Sequence, residues 1–137
     1  MVAKNIVYKH LESLEESLRR IRYMDFTFDM VLGDEDIQDL LDRRMQKAIE
    51  SCINIAAHLV ASEKLGQAES AGSLFSLLVK GKIIPQKLAT RLGKAVGFRN
   101  LIVHKYADID YQLAYSDLKE KLADLEVFAL GVKRFLD

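Results

Sequence analysis

The stretch DEDIQDLLDRRMQKAIESCINIAAHLVAS, residues 34–62, decides the fold class. Ile37, Leu40, Leu41, Met45, Ala48, Ile49, Cys52, Ile53, Ala56 and Leu59 recur at three- and four-residue spacing, the mark of one apolar helix face. Asp34 at its start can accept hydrogen bonds from the free amides of a first turn. Nothing breaks the pattern before Ser62, so the spacing predicts one long amphipathic helix.

The same period extends outward in both directions. Ile6, Val7, His10, Leu11, Leu14, Leu18 and Ile21 predict a first helix over about residues 3–23. RYMDFTFDMVLGDED, residues 22–36, interrupts with aromatics expected to pack over the bundle end. EKLGQAESAG, residues 63–72, reads as a loop, and SLFSLLVKGK, residues 73–82, as a short helix stopped near Gly81. Pro85 suits the first turn of a further helix, where its missing N–H would be unpaired anyway. That helix carries Leu88, Leu92, Ala95, Val96, Phe98, Leu101 and Ile102, and a last one spans about Tyr111 to Leu136. No strand-like alternation of useful length occurs. The expected fold is all-α: an up-down bundle of four main helices plus a short one, in a single domain over residues 1–137.

Composition narrows the function classes. Half of the 137 residues are hydrophobic and 29% are charged, which excludes a disordered chain. CINIAAHLVA, residues 52–61, is about half of the ~20 apolar residues a bilayer span needs, and it holds Asn54 and His58. The first residues turn charged at once and lack a signal-peptide core. With one cysteine, neither an internal disulfide nor a thiolate metal cluster is expected. A cytoplasmic protein with no membrane partner follows. Cys52 reads as core, and His10 and His58 as satisfied helix residues.

The net charge is zero, yet its distribution is uneven. Residues 1–69 carry nine Lys/Arg against thirteen Asp/Glu, and residues 108–137 carry four against seven. Between them Lys80, Lys82, Lys87, Arg91, Lys94, Arg99 and Lys105 stand in 38 residues without one carboxylate. Such a window is the footprint of a phosphate-bearing partner, or of a positive surface that pairs with acidic helices or another subunit.

Inside this window lies GFRNLIVHKYADID, residues 97–110. With Arg99 at zero on a helical wheel, Asn100 falls at about 100°, His104 at about 140° and Tyr106 at about 340°. Phe98, Leu101 and Ile102 fall together on the other side, so they are expected to anchor the helix while the polar set faces outward. Asn100 and His104, four apart, could stack, the amide orienting the imidazole. The set suits a phosphodiester: Arg99 offers a fork of donors to phosphate oxygens, and His104 can move a proton near neutral pH. RNA supplies its own nucleophile, the 2′-hydroxyl, so no metal or cofactor is needed. One histidine leaves a second proton-transfer group to be found, and a two-fold dimer would supply another His104. Gly93 and Gly97 would let two such helices approach closely.

RNLIVHKY, residues 99–106, resembles the motif of the HEPN domain, an arginine followed four to six residues later by histidine. With the tyrosine it is similar to the R-x-x-x-x-H-x-Y pattern of the HepT toxins. The resemblance implies a HEPN-like helical domain and a homodimeric, metal-independent endoribonuclease acting on tRNA or mRNA, with Arg99 and His104 catalytic at a composite cleft and Asn100 supporting. It also implies a partner, a nucleotidyltransferase antitoxin of the MNT type that silences the toxin by adenylylating Tyr106. Lys80, Lys82, Lys87, Arg91, Lys94 and Lys105 are then the expected RNA contacts. The alternative is a helical module without turnover that binds a nucleotide or docks a nucleotidyltransferase.

Overall fold

The longest helix, α3 (Glu35–Ser62), is the element on which the others are laid. Asp34 caps it, its carboxylate accepting from the amides of Asp36 at 2.9 Å and Ile37 at 3.3 Å. Glu35 and Asp36 in the first turn complement the positive end of the helix dipole. Its stripe of Leu41, Met45, Ala48, Ile49, Cys52, Ile55, Ala56 and Leu59 is buried, Cys52 with it. Burial pushes the Cys52 thiol well above its ordinary range, so it is a small apolar core residue rather than a nucleophile.

The computed structural model describes residues 3–104 and 109–137. Among these, the remaining helices are α1 (Lys4–Arg22), α2 (Phe28–Gly33), α4 (Ser73–Lys80), α5 (Gln86–Val103), α6 (Tyr111–Tyr115) and α7 (Leu118–Leu136), and no strand occurs. α1 packs along α3, α4 and α5 close over another side of it, and α7 touches α1, α3 and α5. Glu15 meets Lys133 and Arg22 meets Glu126, so α1 and α7 run in opposite directions. Arg91 meets Asp124 and the Lys121 ammonium lies over the Phe98 ring, so α5 and α7 do too. Phe75 of α4 packs edge-on against Phe128 of α7 at 5.6 Å, closing the core.

The four long helices and the short α4 stand where the periodicity predicts them. Gly81 follows α4 as its C-cap, and a Cβ there would lie 2.7 Å from Leu65, so glycine admits the close approach of that side chain. Two short helices escaped the periodicity. Six-residue α2 starts at Thr27, whose hydroxyl accepts from the Met30 amide at 3.3 Å, and such a single turn is too short to show a period. The last predicted helix is broken at Ser116 and Asp117, where Lys121 folds back onto the Ala114 carbonyl. Leu40, counted with the apolar stripe of α3, is exposed, as is Leu113 of α6, whereas Ile55 is fully buried. His58 is half-buried, and its Nε2 has no partner among the described residues. No helix among the described residues is long and apolar enough to cross a membrane.

The break before α7 serves a buried polar junction. Asp42 of α3, 6% exposed, accepts hydrogen bonds from the Tyr111 hydroxyl at 2.6 Å and the Tyr115 hydroxyl at 2.5 Å. The two rings stack at 5.9 Å, and Tyr115 meets Phe98 of α5 edge-on at 5.3 Å. Burial first, then the bond to the Asp42 carboxylate and its charge, raise the Tyr115 hydroxyl far above its ordinary pKa. A raised acid contributes stability that is complete below its unfolded pKa of about 10 and is lost as pH rises above it. Tyr115→Phe is expected to lower unfolding free energy by about 1–3 kcal/mol in urea titrations near neutral pH, since a hydrogen bond to a charged group is removed. It should also flatten the loss of stability seen above about pH 10.

Candidate functional site

α5 begins after Pro85, which is its N-cap residue, and runs unbroken through Gly93 and Gly97 to Val103. Phe98 and Ile102 are buried and anchor the helix as its wheel predicts. Leu101 is not an anchor: at 50% exposure it faces solvent, because its azimuth points away from both α3 and α7. Arg99 does not point freely outward either. Its side chain is 22% exposed, and Nη1 lies 3.9 Å from Oε1 of Glu50 on α3. The Arg99 Nε is buried, and no acceptor for it lies among the described residues. Glu50 is itself fixed by Gln46, whose amide donates to it at 3.0 Å.

His104 is the C-cap of α5, outside the regular helix, and its amide donates to the Asn100 carbonyl at 3.0 Å. The expected side-chain link from Asn100 is absent; the backbone joins these two residues instead. The imidazole is exposed, with no side-chain hydrogen bond among the described residues. A guanidinium wedged against α3 and an open imidazole thus share the end of one rigid helix. The first can hold an anion and the second can exchange a proton. Tyr106 and Lys105 lie outside the described residues.

The basic window is dispersed by folding. Arg91 pairs with Asp124 at 2.9 Å, and Lys94 lines a recess with Asp117, the N-cap of α7, and with Glu120 and Asp124 of that helix. Lys80 closes α4, Lys82 follows it and Lys87 opens α5, so Lys87 is roughly 25 Å along the helix from His104 at 1.5 Å per residue. Part of the window therefore pairs with an acidic helix of the same chain. Glu50, which lies beside Arg99, and Gln46, which donates to Glu50, carried no sequence signal, because about fifty residues separate them from Arg99. The described residues contain no group of three or more His, Cys, Asp or Glu placed to hold a metal. The outer face of α5 bears Gly93, Gly97, Asn100 and Leu101, and a Cβ added at either glycine would meet nothing within 4 Å.

Known proteins are similar to this chain in sequence and fold along almost its whole length. The chain is 28% identical over 129 residues to the mRNA nuclease HepT of Shewanella oneidensis, covering 94% of this chain and 97% of that protein. It is 24% identical over 132 residues to the tRNA nuclease HepT of Aphanizomenon flos-aquae, covering 96% and 90%. The fold matches a tri-AMPylated Shewanella oneidensis HEPN toxin in complex with MNT antitoxin, with a TM-score of 0.87, 28% identity and coverage of 94% and 97%. The family profile described as ribonuclease HepT-like matches residues 7–131, which span the long helices and the Arg99–His104 segment, and the chain therefore belongs to the ribonuclease HepT-like family.

Proposed function

We propose that the protein is an endoribonuclease toxin of the cytoplasm that cleaves tRNA or mRNA without metal and is silenced by an MNT-type nucleotidyltransferase antitoxin. One observation carries this reading: α5 brings a wedged guanidinium, Arg99, and an open imidazole, His104, to the same end of a rigid helix. The relatives named as mRNA and tRNA nucleases, and the HEPN toxin found with an MNT antitoxin, support it.

In the proposed reaction the RNA 2′-oxygen attacks the adjacent phosphorus and the 5′-oxygen leaves. The 2′-hydroxyl proton passes to a base and the leaving oxygen receives a proton from an acid, giving a 2′,3′-cyclic phosphate. His104 of one protomer fills one of these roles and the second protomer's copy fills the other. Arg99 holds the non-bridging oxygens, whose negative charge grows in the transition state. Its contact with Glu50 keeps the guanidinium in place before RNA arrives. Asn100 supports the turn that carries His104. Lys105 and Lys94, with Lys80, Lys82, Lys87 and the partly neutralised Arg91, add positive potential for the strand.

Regulation acts on the same cleft. The Tyr106 phenol oxygen takes AMP from ATP with release of pyrophosphate, leaving bulk and negative charge two residues beyond His104. An RNA phosphate is then repelled and physically displaced.

The test is cleavage of labelled tRNA and mRNA in EDTA by protein confirmed by mass to be unmodified. Arg99→Ala and His104→Ala are each expected to slow cleavage by at least about 100-fold, the usual worth of an oxyanion clamp or a general acid–base. Full activity in either variant removes that residue from the mechanism. A folded wild type that binds a nucleotidyltransferase yet cuts no RNA would replace this reading with the non-catalytic docking module.

The dimer has its own test. A Cβ at Gly97 would meet nothing within 4 Å among the described residues, and Gly97 is exposed, so Gly97→Glu is expected to fold normally. Light scattering is expected to show a monomer, with cleavage lost together with the dimer. A dimeric, active Gly97→Glu would move the interface off this face.

A further inference from the structure

Between α1 and α3 runs an open groove whose basic lining is Lys9, Arg19, Arg20, Arg43, Arg44 and Lys47. All six lie in residues 1–69, the part of the chain where carboxylates outnumber basic residues. Folding separates the two signs. Of the three carboxylates in the groove, Glu16 is held by both Arg19 and Arg20, and Glu15 is drawn to Lys133 of α7 at 2.9 Å. Only Glu12 is left to offset Lys9, Arg43, Arg44 and Lys47, none of which has an ion-pair partner among the described residues. Arg44 is pinned in place, its Nη1 donating to the Arg20 carbonyl at 3.0 Å.

The groove opens beside the candidate site. Lys47 and Glu50 are three residues apart on α3, about 4.5 Å along its axis, and Glu50 is the residue against which Arg99 is wedged. Arg43 lies one further turn away. A strand following these cations along α3 arrives at Arg99. The groove is poor in the apolar anchors on which protein partners depend, Leu40 being its only large apolar liner among the described residues. A row of uncompensated ammonium and guanidinium groups, one of them fixed, instead fits a sugar-phosphate backbone.

We propose that the α1–α3 groove is an RNA-binding track that feeds the strand to Arg99, distinct from the linear basic segment of residues 70–107. It rests on the ribonuclease reading above. The experiment measures cleavage and binding of a labelled single-stranded RNA carrying the mapped cut site, for wild type and Arg43→Glu/Lys47→Glu. The double variant is expected to raise KM at least 10-fold with kcat within about 2-fold, and to lower the slope of log affinity against log salt by about 1.4 for two lost phosphate contacts. Lys9→Glu, across the groove on α1, should act in the same direction, and Lys47→Arg should retain wild-type KM because the charge is kept.

Unchanged KM and salt slope in an active protein would overturn the track and leave the ribonuclease reading standing. Unchanged RNA binding with a weakened nucleotidyltransferase complex would overturn it in favour of a protein-docking groove. A wild type inert toward RNA would remove both readings together.

Discussion

A single buried carboxylate holds the end of the bundle that carries the candidate site. Asp42 sits inside α3, and water is replaced around it by two tyrosine hydroxyls that arrive from α6. Burying a carboxylate is costly unless its oxygens are well bonded, so the chain must return to α3 soon after α5 ends. Tyr115 then presses its edge on Phe98, the residue next to Arg99. The position of α5 against α3 is therefore fixed from both sides: by apolar packing along the stripe and by this polar junction at its end.

The same packing gives Arg99 and His104 different surroundings. Arg99 lies toward α3, its Nη1 3.9 Å from Glu50 Oε1 and its Nε buried with no acceptor among the described residues. His104, past the last helical turn, has no such neighbours among the described residues and stays open. A positioned charge and an accessible proton carrier are the two things that cleavage of a phosphodiester asks of a protein when the RNA brings the nucleophile.

Charge depends on the fold as well as on linear order. The window free of carboxylates admitted a phosphate surface or pairing with acidic helices, and Arg91 is paired with Asp124 while Lys94 shares a recess with Asp117, Glu120 and Asp124. The acidic half of the chain meanwhile gathers its cations along one groove and sends one carboxylate, Glu15, to another helix. Sequence windows count charges along the chain, whereas a ligand meets them across helices.

The sequence by itself determined the fold class, the long helices and the motif. Helical period is a local property, and α1, α3, α5 and α7 each repeat it often enough to be read. Arg99 and Asn100 in the last turns of α5, and His104 at its C-cap, stood out as a motif because they are close neighbours in the chain. Short α2 and the break before α7 were not legible, because one turn has no period and because that break is set by Asp42, about seventy residues away. Leu101 was misjudged because a wheel gives azimuths but not which azimuth faces a neighbour. Only the tertiary structure decided that Glu50 braces Arg99, that α7 absorbs part of the basic window, and that α1 and α3 form a basic groove. Each of these is a contact between helices distant in sequence, and the physics that sets it, who packs against whom, exists only once the core has closed.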